Sequence, residues 1–206
     1  YIMILPGFGA ISHVLASFSE KRIFGYKGMV ISLISIGIVG YLVWAHHMFV
    51  AGIPAWLQVY FSYMSMVIAV PTGIKIFSWL ATIWGGSIRF STAMKFGLGF
   101  VSLFIIGGMS GILLANVPVD YQVHDSYFVV GHFHYVLVGG SIMSMFATTY
   151  FWYPKIRGKC LSEKLGSWVF WIFFAGMNLT FFPMHFMGIM GMARRVFIYR
   201  PEFFEL

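Results

Sequence analysis

Residues 96–115 read FGLGFVSLFIIGGMSGILLA and contain no charged side chain. An apolar run of about 20 residues, folded as an α-helix, is long enough to cross the roughly 30 Å of hydrocarbon in a lipid bilayer. A strand of a membrane β-barrel needs only about ten residues and alternates polar with apolar side chains, which this run does not do. The stretch therefore predicts a transmembrane helix.

The rest of the chain has the same character. Of its 206 residues, 60% are hydrophobic and 9% are charged, whereas about 25% of the residues of a soluble domain are charged. Other apolar runs of membrane-spanning length cover residues 29–50, 56–84, 126–153 and 167–187, and a shorter one covers residues 1–18. We therefore predict an all-α fold, a polytopic bundle of about six transmembrane segments.

Charge and cysteine content exclude several classes of protein. The formal charge is +7, but in so apolar a chain the basic residues mark the sides of a membrane and do not indicate a nucleic-acid partner. Cys160 is the only cysteine, which excludes internal disulfides and zinc sites built on cysteine pairs. Because the chain starts at Tyr1 inside an apolar run and shows no signal peptide, we expect residues 1–206 to be one region of a longer protein, incomplete at both ends.

Basic residues alternate between the loops that connect the segments. Every second loop carries them, and the two loops in between carry none. The basic residues of these loops are Lys21, Arg22, Lys27, Arg89, Lys95, Lys155, Arg157, Lys159 and Lys164. By the positive-inside rule their loops face the cytoplasm or the mitochondrial matrix, and the other loops and the C-terminal tail face the opposite, outer side.

Three arginines of the tail do not follow this rule. Arg194, Arg195 and Arg200 lie on the outer side, where basic residues are uncommon. Their position indicates an anionic group nearby, although Glu202 and Glu205 offer a simpler partner within the tail itself.

Lys75 is the one charged residue that the pattern places well inside a segment. A charged side chain in the hydrocarbon costs a few kcal/mol, so such a residue is by default a functional candidate. The alternative is a lysine whose amine extends to the inner surface of the membrane. Trp84 marks that surface, and the helix rise between Lys75 and Trp84 is about 13 Å, which disfavours this alternative. Pro71 and Gly73 just before it are able to loosen the helix.

Four histidines fall at one depth of the bilayer. His46 and His47 lie just below the outer end of the second segment, and His132 and His134 lie about two turns after the outer start of the fifth. Since neutral imidazole is the commonest metal ligand, a layer of histidines in a charge-poor membrane indicates a metal site.

The spacing of the histidines indicates what they hold. His46 and His47 are about 100° apart around a helix and are able to share one ion that lies between them. His132 and His134 differ by about 200° and point to opposite faces, so they serve two different centres. One haem on each face is the economical solution, because a haem takes an axial imidazole and fills a large apolar gap.

Six motifs carry a resemblance to a known family. They are YIMILPGFG (1–9), VWAHHMF (43–49), PTGIKIFSWLAT (71–82), HDSY (124–127), HFHYVL (132–137) and NLTFFP (178–183). In this order, and over nearly the whole chain, they resemble subunit I of the haem-copper oxygen reductases of the cytochrome c oxidase type. The resemblance implies that residues 1–206 are the C-terminal-side part of a twelve-helix transmembrane core.

The resemblance also implies an activity and its setting. The expected protein is a proton-translocating terminal oxidase that reduces dioxygen to water with electrons from cytochrome c at a haem-copper centre. Its expected cofactors are low-spin and high-spin haem A, copper and magnesium. Its expected partners are the copper-bearing subunit II, subunit III, the missing N-terminal part of subunit I, and cytochrome c, in the mitochondrial inner membrane or the bacterial plasma membrane.

Ligand roles follow from the same resemblance. His46 and His47 match two of the three ligands of the active-site copper. His132 matches the ligand of the high-spin haem iron, and His134 matches one axial ligand of the low-spin haem iron. The third copper ligand and the second low-spin ligand belong to motifs that this sequence does not contain.

Groups of the outer side match the family's binding sites for ions and propionates. His124 and Asp125 correspond to the magnesium site, and a carboxylate suits that hard cation. Asp120, Arg194 and Arg195 resemble the groups that bind the haem propionates, which would explain the arginines on the outer side. The sequence departs from the family pattern at position 193, where Ala193 stands in place of the usual proline.

Proton transfer is the role that the resemblance gives to a further set. Tyr1 matches the tyrosine that the family joins covalently to a copper ligand, and Lys75 and Thr72 match the proton pathway that leads to it. Ser12 is a weaker candidate along the same pathway. No ligand role is assigned to His13 or His185, for which packing or a hydrogen bond at the haem edge is expected.

Other functions remain open at this point. A quinol oxidase of the same superfamily shares these motifs and differs in its electron donor. A nitric oxide reductase is disfavoured by Tyr1 and Lys75. A non-enzymatic membrane transporter of metal ions or protons also places histidine and lysine in helices, but it needs neither the opposed pair His132 and His134 nor arginines suited to propionates.

Overall fold

The computed structural model describes residues 1–203, and these are almost entirely helical. In chain order the α-helices are α1 (Ile4–Phe18), α2 (Tyr26–Gly40), α3 (Ala55–Val67), α4 (Ala69–Ile83), α5 (Thr92–Ala115), α6 (Val117–Val123), α7 (Tyr127–Val136), α8 (Met143–Arg157) and α9 (Glu163–Ile189). The only β-type pairing within the described residues is an isolated bridge between Ser126 and Ala193. The predicted all-α fold is confirmed.

Five stretches of helix are long and apolar enough to cross a membrane. They are Tyr26–Ala51, Ala55–Ile83, Thr92–Ala115, Tyr127–Arg157 and Glu163–Ile189. The helix α1 is apolar but shorter, as the sequence predicts for residues 1–18. The chain is therefore an integral membrane protein, and its spans match the predicted ones to within a few residues.

Three of the spans are not continuous α-helix. The first span, Tyr26–Ala51, ends in a 3-10 helix, Trp44–Ala51, and the fourth, Tyr127–Arg157, contains a π-helical segment, Leu137–Ile142, between α7 and α8. The second span, Ala55–Ile83, divides at Ile68 between α3 and α4. Pro71 explains that division, because it has no N–H to donate to the carbonyl of Val67.

The inner ends of four helices differ from the prediction, since Lys27 and Lys164, which the sequence predicts in loops, lie in the first turns of α2 and α9, and α5 and α8 also extend further. Lys95, which we expected in a loop, lies in the first turn of α5, because Ser91 caps that helix. The Nζ of Lys95 donates to Ser167 Oγ on α9 at 2.6 Å. Lys155 and Arg157 likewise belong to the last turn of α8. The inner loops are thus shorter than the sequence suggests, and their charges help to hold helix ends together.

Aromatic side chains fill the centre of the bundle around α5. Phe8, Phe100 and Trp79 are fully buried there. The rings of Phe100 and Phe104 are parallel, with centroids 5.5 Å apart and planes 6° apart. Phe8 meets Trp79 edge to face at 5.4 Å. Close packing of rings stabilises helix association inside a bilayer, where the hydrophobic effect does not drive helices together.

The helices α7 and α9 approach each other closely at Gly188. A Cβ atom added there would lie against the backbone nitrogen of Phe128, well inside van der Waals contact. Only glycine therefore allows this approach, and it sets the distance between α9 and the helix that carries His132 and His134.

Gly188→Ala should separate α7 from α9, because the backbone of Phe128 cannot move away from the added Cβ. We expect a lower thermal unfolding midpoint and a severalfold loss of assembled protein when the intact protein is purified in detergent. Gly176→Ala is the matched control, since Gly176 lies on the same helix with nothing within 4 Å of an added Cβ. Equal behaviour of the two variants would contradict the close-packing interpretation.

Candidate metal centre

His46 and His47 direct ring nitrogens at the same point. Their Nε2 atoms are 3.0 Å apart. On the far side of its ring, His46 Nδ1 lies 3.0 Å from Ser65 Oγ on α3. The Ser65 hydroxyl donates its single proton to the carbonyl of Phe61 at 2.6 Å. Its oxygen therefore accepts from His46 Nδ1–H, and the lone pair of His46 is left on Nε2.

This arrangement fits one metal ion shared by the two imidazoles. Two nitrogens 3.0 Å apart, each about 2.0 Å from an ion, subtend an angle of about 100° at that ion. The predicted angle around a helix needs one correction, because the segment is 3-10 helical and adjacent residues are about 120° apart. The conclusion that both side chains reach one ion is unchanged.

His132 faces α5. Its Nδ1 lies 3.0 Å from the carbonyl of Gly107 and 3.0 Å from Ser110 Oγ. A carbonyl oxygen only accepts, so Nδ1 carries the proton and Nε2 carries the free lone pair. The ring lies against Gly111, where an added Cβ would come within 2.9 Å of His132 Cε1.

His134 faces α9, the opposite side. Its Nδ1 donates to the carbonyl of Val130, one turn earlier, at 2.8 Å. Its ring is stacked on Phe181 of α9, with centroids 4.0 Å apart and planes 12° apart. The free lone pair is again on Nε2. His132 and His134 therefore present ligating nitrogens on two faces of α7, as their spacing in the sequence predicts.

A complete metal site is not formed by the described residues alone. Among residues 1–203, no three histidine, cysteine, aspartate or glutamate side chains converge on a point where an ion would be held. His46 and His47 supply two donors, and the described part of the chain supplies no third.

Asp125 is the centre of an ion cluster on the outer side. Its carboxylate accepts from Arg194 Nη2 at 2.7 Å and from Arg194 Nε at 2.8 Å, and Arg195 Nη1 lies 3.6 Å away. These arginines, first through the hydrogen bonds from Arg194, hold the pKa of Asp125 below its usual value. The sequence predicts Asp125 in a magnesium site and the two arginines in a propionate site, and the structure brings these residues into contact.

His124 joins this cluster to Asp120. His124 Nε2 is 3.6 Å from Asp125 Oδ2, and His124 Nδ1 is 3.9 Å from Asp120 Oδ2. Asp120 is buried, and its Oδ2 has no hydrogen-bond partner among the described residues. Burial raises the pKa of Asp120 above its usual value. A buried carboxylate oxygen without a donor fits a site for a cation or for a hydrogen-bonding group of a cofactor.

The backbone of the tail is paired with the loop before α7. Arg194 N–H donates to the carbonyl of Asp125 at 2.9 Å, and Ala193 forms the bridge with Ser126. Arg194 is therefore held in place and is not part of a solvated tail. Arg200 pairs with Glu202 at 3.6 Å, where both side chains are exposed, and Glu205 lies outside the described residues.

Lys75 is enclosed by the bundle. It is 2% exposed, and its Nζ lies 5.4 Å from the ring centroids of both Phe8 and Trp79. The described residues offer the amine no carboxylate and no hydrogen-bond acceptor within bonding distance. The alternative that its amine extends to the inner surface is therefore wrong.

Polar residues share a pocket with this lysine. Ser12 Oγ accepts from Trp79 Nε1 at 2.9 Å and donates to the carbonyl of Phe8 at 2.7 Å. Ser12, His13, Tyr26 and Lys75 line one pocket of about 340 Å³ between α1, α2 and α4.

The pocket does not include Thr72 among its lining residues. One turn before Lys75, Thr72 Oγ1 donates to the carbonyl of Ile68 at 2.8 Å. That carbonyl lies at the break between α3 and α4.

Tyr1 lies beside the outer end of α2. Its ring packs against Gly40, where an added Cβ would be 3.2 Å from Tyr1 Cδ2. Tyr1 thus lies near the end of α2 after which His46 and His47 follow in the chain. It forms no hydrogen bond with either histidine.

Sequence reasoning missed the side chains that orient the ligands. Ser65 and Ser110 accept from His46 and His132, and Phe181 stacks on His134. The available signal was weak: an isolated serine in an apolar run is a candidate for bonding between helices, but it bonds more often to its own backbone.

Together the fold and the histidine geometry define an α-helical integral membrane protein whose membrane-spanning segments carry imidazole nitrogens free to bind a metal. The chain belongs to the family described as Cytochrome C and Quinol oxidase polypeptide I, whose sequence profile matches residues 1–206.

Curated relatives agree with this family. The chain is 54% identical over 203 residues to cytochrome c oxidase subunit 1 of Synechocystis sp., covering 98% of this chain and 37% of that protein. It is 52% identical over 202 residues to the subunit 1 of Bacillus sp., covering 98% and 33%. It is 53% identical over 199 residues to the subunit 1 of Alkalihalophilus pseudofirmus, covering 97% of this chain and 32% of that protein. The chain thus spans about a third of the length of these relatives.

Ser65→Ala removes the acceptor of His46 Nδ1–H and frees the imidazole to turn. Loss of such a supporting hydrogen bond typically weakens metal binding by about 10- to 100-fold. If His46 and His47 share a metal ion, we expect a loss of that size in the affinity for it, measured by metal analysis after dialysis against graded chelator. Ser62→Ala is the matched control, because Ser62 bonds only to the carbonyl of Ala115. Full metal retention in Ser65→Ala would contradict the assignment.

Proposed function

We propose that this chain forms part of the catalytic core of a terminal respiratory oxidase, which reduces dioxygen to water with electrons from cytochrome c and translocates protons. The observation that carries the proposal is the pair of histidines on opposite faces of α7, each with Nδ1–H bonded to a backbone carbonyl and Nε2 free. A transporter has no need for two such ligands that face apart.

The donor set fits the cofactors of such an oxidase. His132 would hold the high-spin haem and His134 the low-spin haem, both haem A, while His46 and His47 would hold copper. When bound, these groups supply electron transfer and the binding and reduction of dioxygen. The protein supplies imidazoles whose Nδ1–H is held by a backbone carbonyl, so that Nε2 is the nitrogen that faces the metal.

Outer-side residues would neutralise and position the charged parts of these groups. Arg194 and Arg195 carry guanidinium groups suited to haem propionates, and Asp120 offers a buried carboxylate beside them. His124 and Asp125 would contribute to a magnesium site, with Asp125 exchanging part of its contact with Arg194 for the cation.

Lys75 would carry protons from the inner side toward Tyr1. Its amine is enclosed without a carboxylate partner in the described part of the chain, and the adjoining pocket contains Ser12. Thr72, one turn away on the same helix, would extend the path, and Tyr1 would donate a proton at the catalytic centre. An amine free of ion pairs is able to accept and release a proton without breaking a salt bridge.

The names of the relatives support a setting for the proposed enzyme. Relatives named cytochrome c oxidase favour cytochrome c over quinol as the donor. Copper-bearing subunit II, subunit III and the remainder of subunit I would complete the complex in a bacterial plasma membrane or a mitochondrial inner membrane. Oxidation of reduced cytochrome c by the purified complex, compared with oxidation of a quinol, tests the donor directly.

Lys75→Met should slow steady-state turnover by an order of magnitude or more while haem content stays near normal, because the substitution keeps the volume and removes the protonatable amine. Oxygen consumption and the haem absorption spectrum of the intact complex measure the two quantities. Lys159→Met, on the exposed inner loop, is the control and should retain activity. Loss of haem in Lys75→Met would assign the lysine to structure and not to proton transfer.

His132→Ala should abolish carbon monoxide binding to the reduced complex, since the high-spin haem would lose its protein ligand. The difference spectrum with and without carbon monoxide is the measurement. His13→Ala, on α1, should bind carbon monoxide as the parent does. Retained binding in His132→Ala would refute the ligand role.

A further inference from the structure

The imidazole of His134 is held by two contacts of different kinds. The bond from Nδ1 to the carbonyl of Val130, 2.8 Å long, fixes the tautomer and one edge of the ring. It leaves the ring able to rock about that edge. The stack on Phe181, with planes 12° apart and centroids at 4.0 Å, restricts this remaining motion.

Phe181 is itself held in place, because α9 packs closely against α7 near this residue. A Cβ added to Gly131 would lie 3.1 Å from the carbonyl oxygen of Phe181 and 3.0 Å from His185 Cε1. His185, one turn further along α9, is 9% exposed and meets Phe128 edge to face at 5.1 Å. The backbone that carries Phe181 is therefore fixed relative to the backbone that carries His134.

The next residue provides a contrast. Phe182 has the same side chain, but it is 46% exposed on the outside of α9. Its ring makes aromatic contacts with His185 and Phe186 and none with His134. The two phenylalanines thus differ in what they touch and not in chemistry.

We propose that Phe181 is a positioning residue for the low-spin haem: its ring sets the plane of the His134 imidazole and thereby the orientation of an axial ligand at the iron. This inference rests on the proposed function, since it takes His134 as a haem ligand. Orientation of a ligating imidazole by a neighbouring side chain is a general means of tuning a metal centre.

The electron paramagnetic resonance spectrum of an oxidised low-spin haem reports the orientation of its axial imidazoles. In the intact oxidase, Phe181→Leu should shift and broaden the low-spin signal and shift the midpoint potential of that haem. Carbon monoxide binding by the high-spin haem should stay unchanged. Phe181→Tyr, which keeps the ring, and Phe182→Leu, the matched control, should give the parent signal.

A parent signal in Phe181→Leu, or an equal change in Phe182→Leu, would overturn the inference. If Phe181→Leu does not assemble, Phe181→Met is measured in its place, and the same two outcomes decide. His134→Ala separates this inference from the proposed function. Loss of the low-spin haem in His134→Ala, together with a parent signal in Phe181→Leu, rejects the positioning role alone, whereas an unchanged low-spin haem in His134→Ala rejects the ligand role itself.

Discussion

The imidazole N–H group is the feature on which the candidate site depends. Inside a bilayer no water accepts its hydrogen bond, and a buried donor left without a partner costs about 1–3 kcal/mol. The fold supplies an acceptor for each of three histidines: Ser65 Oγ for His46, the carbonyl of Gly107 for His132 and the carbonyl of Val130 for His134. Because the proton is fixed on Nδ1 in each case, the lone pair is fixed on Nε2. The bonds that stabilise the side chains therefore also leave Nε2 free to bind a metal.

Charge is distributed on the same principle. On the outer side, Asp125 pairs with Arg194 and Arg195, so opposite charges meet where water and ions have access. Within the bundle, Lys75 has aromatic rings beside it, and residues 1–203 place no carboxylate against its amine. A paired charge stabilises the structure. An unpaired amine enclosed in a membrane protein is costly to bury, so it is by default a functional group, such as a carrier of protons. This contrast supports the proton-transfer role that we propose for Lys75.

Sequence reasoning succeeded where a pattern repeats over many residues. The spans follow from continuous apolar runs, and the opposed directions of His132 and His134 follow from the angle between residues two apart in a helix. It failed at local departures from the regular helix. Lys95 entered α5 because Ser91 caps it, and the segment with His46 and His47 became 3-10 helical. Apolar runs predict that a helix crosses the membrane, but they do not locate its ends or its irregular turns.

By itself, the sequence determined that the chain lies in a membrane, and it predicts which way the chain faces and that four histidines share one depth. These conclusions need only hydropathy, the distribution of basic residues and the rise of a helix. Only the tertiary structure decided which atoms meet: Ser65 with His46, Phe181 with His134, and Arg194 with Asp125, pairs separated by 19, 47 and 69 positions in the chain. Contacts over such distances depend on how helices pack, and packing among apolar helices depends on small residues such as Gly188 and Gly131, whose role no local pattern reveals.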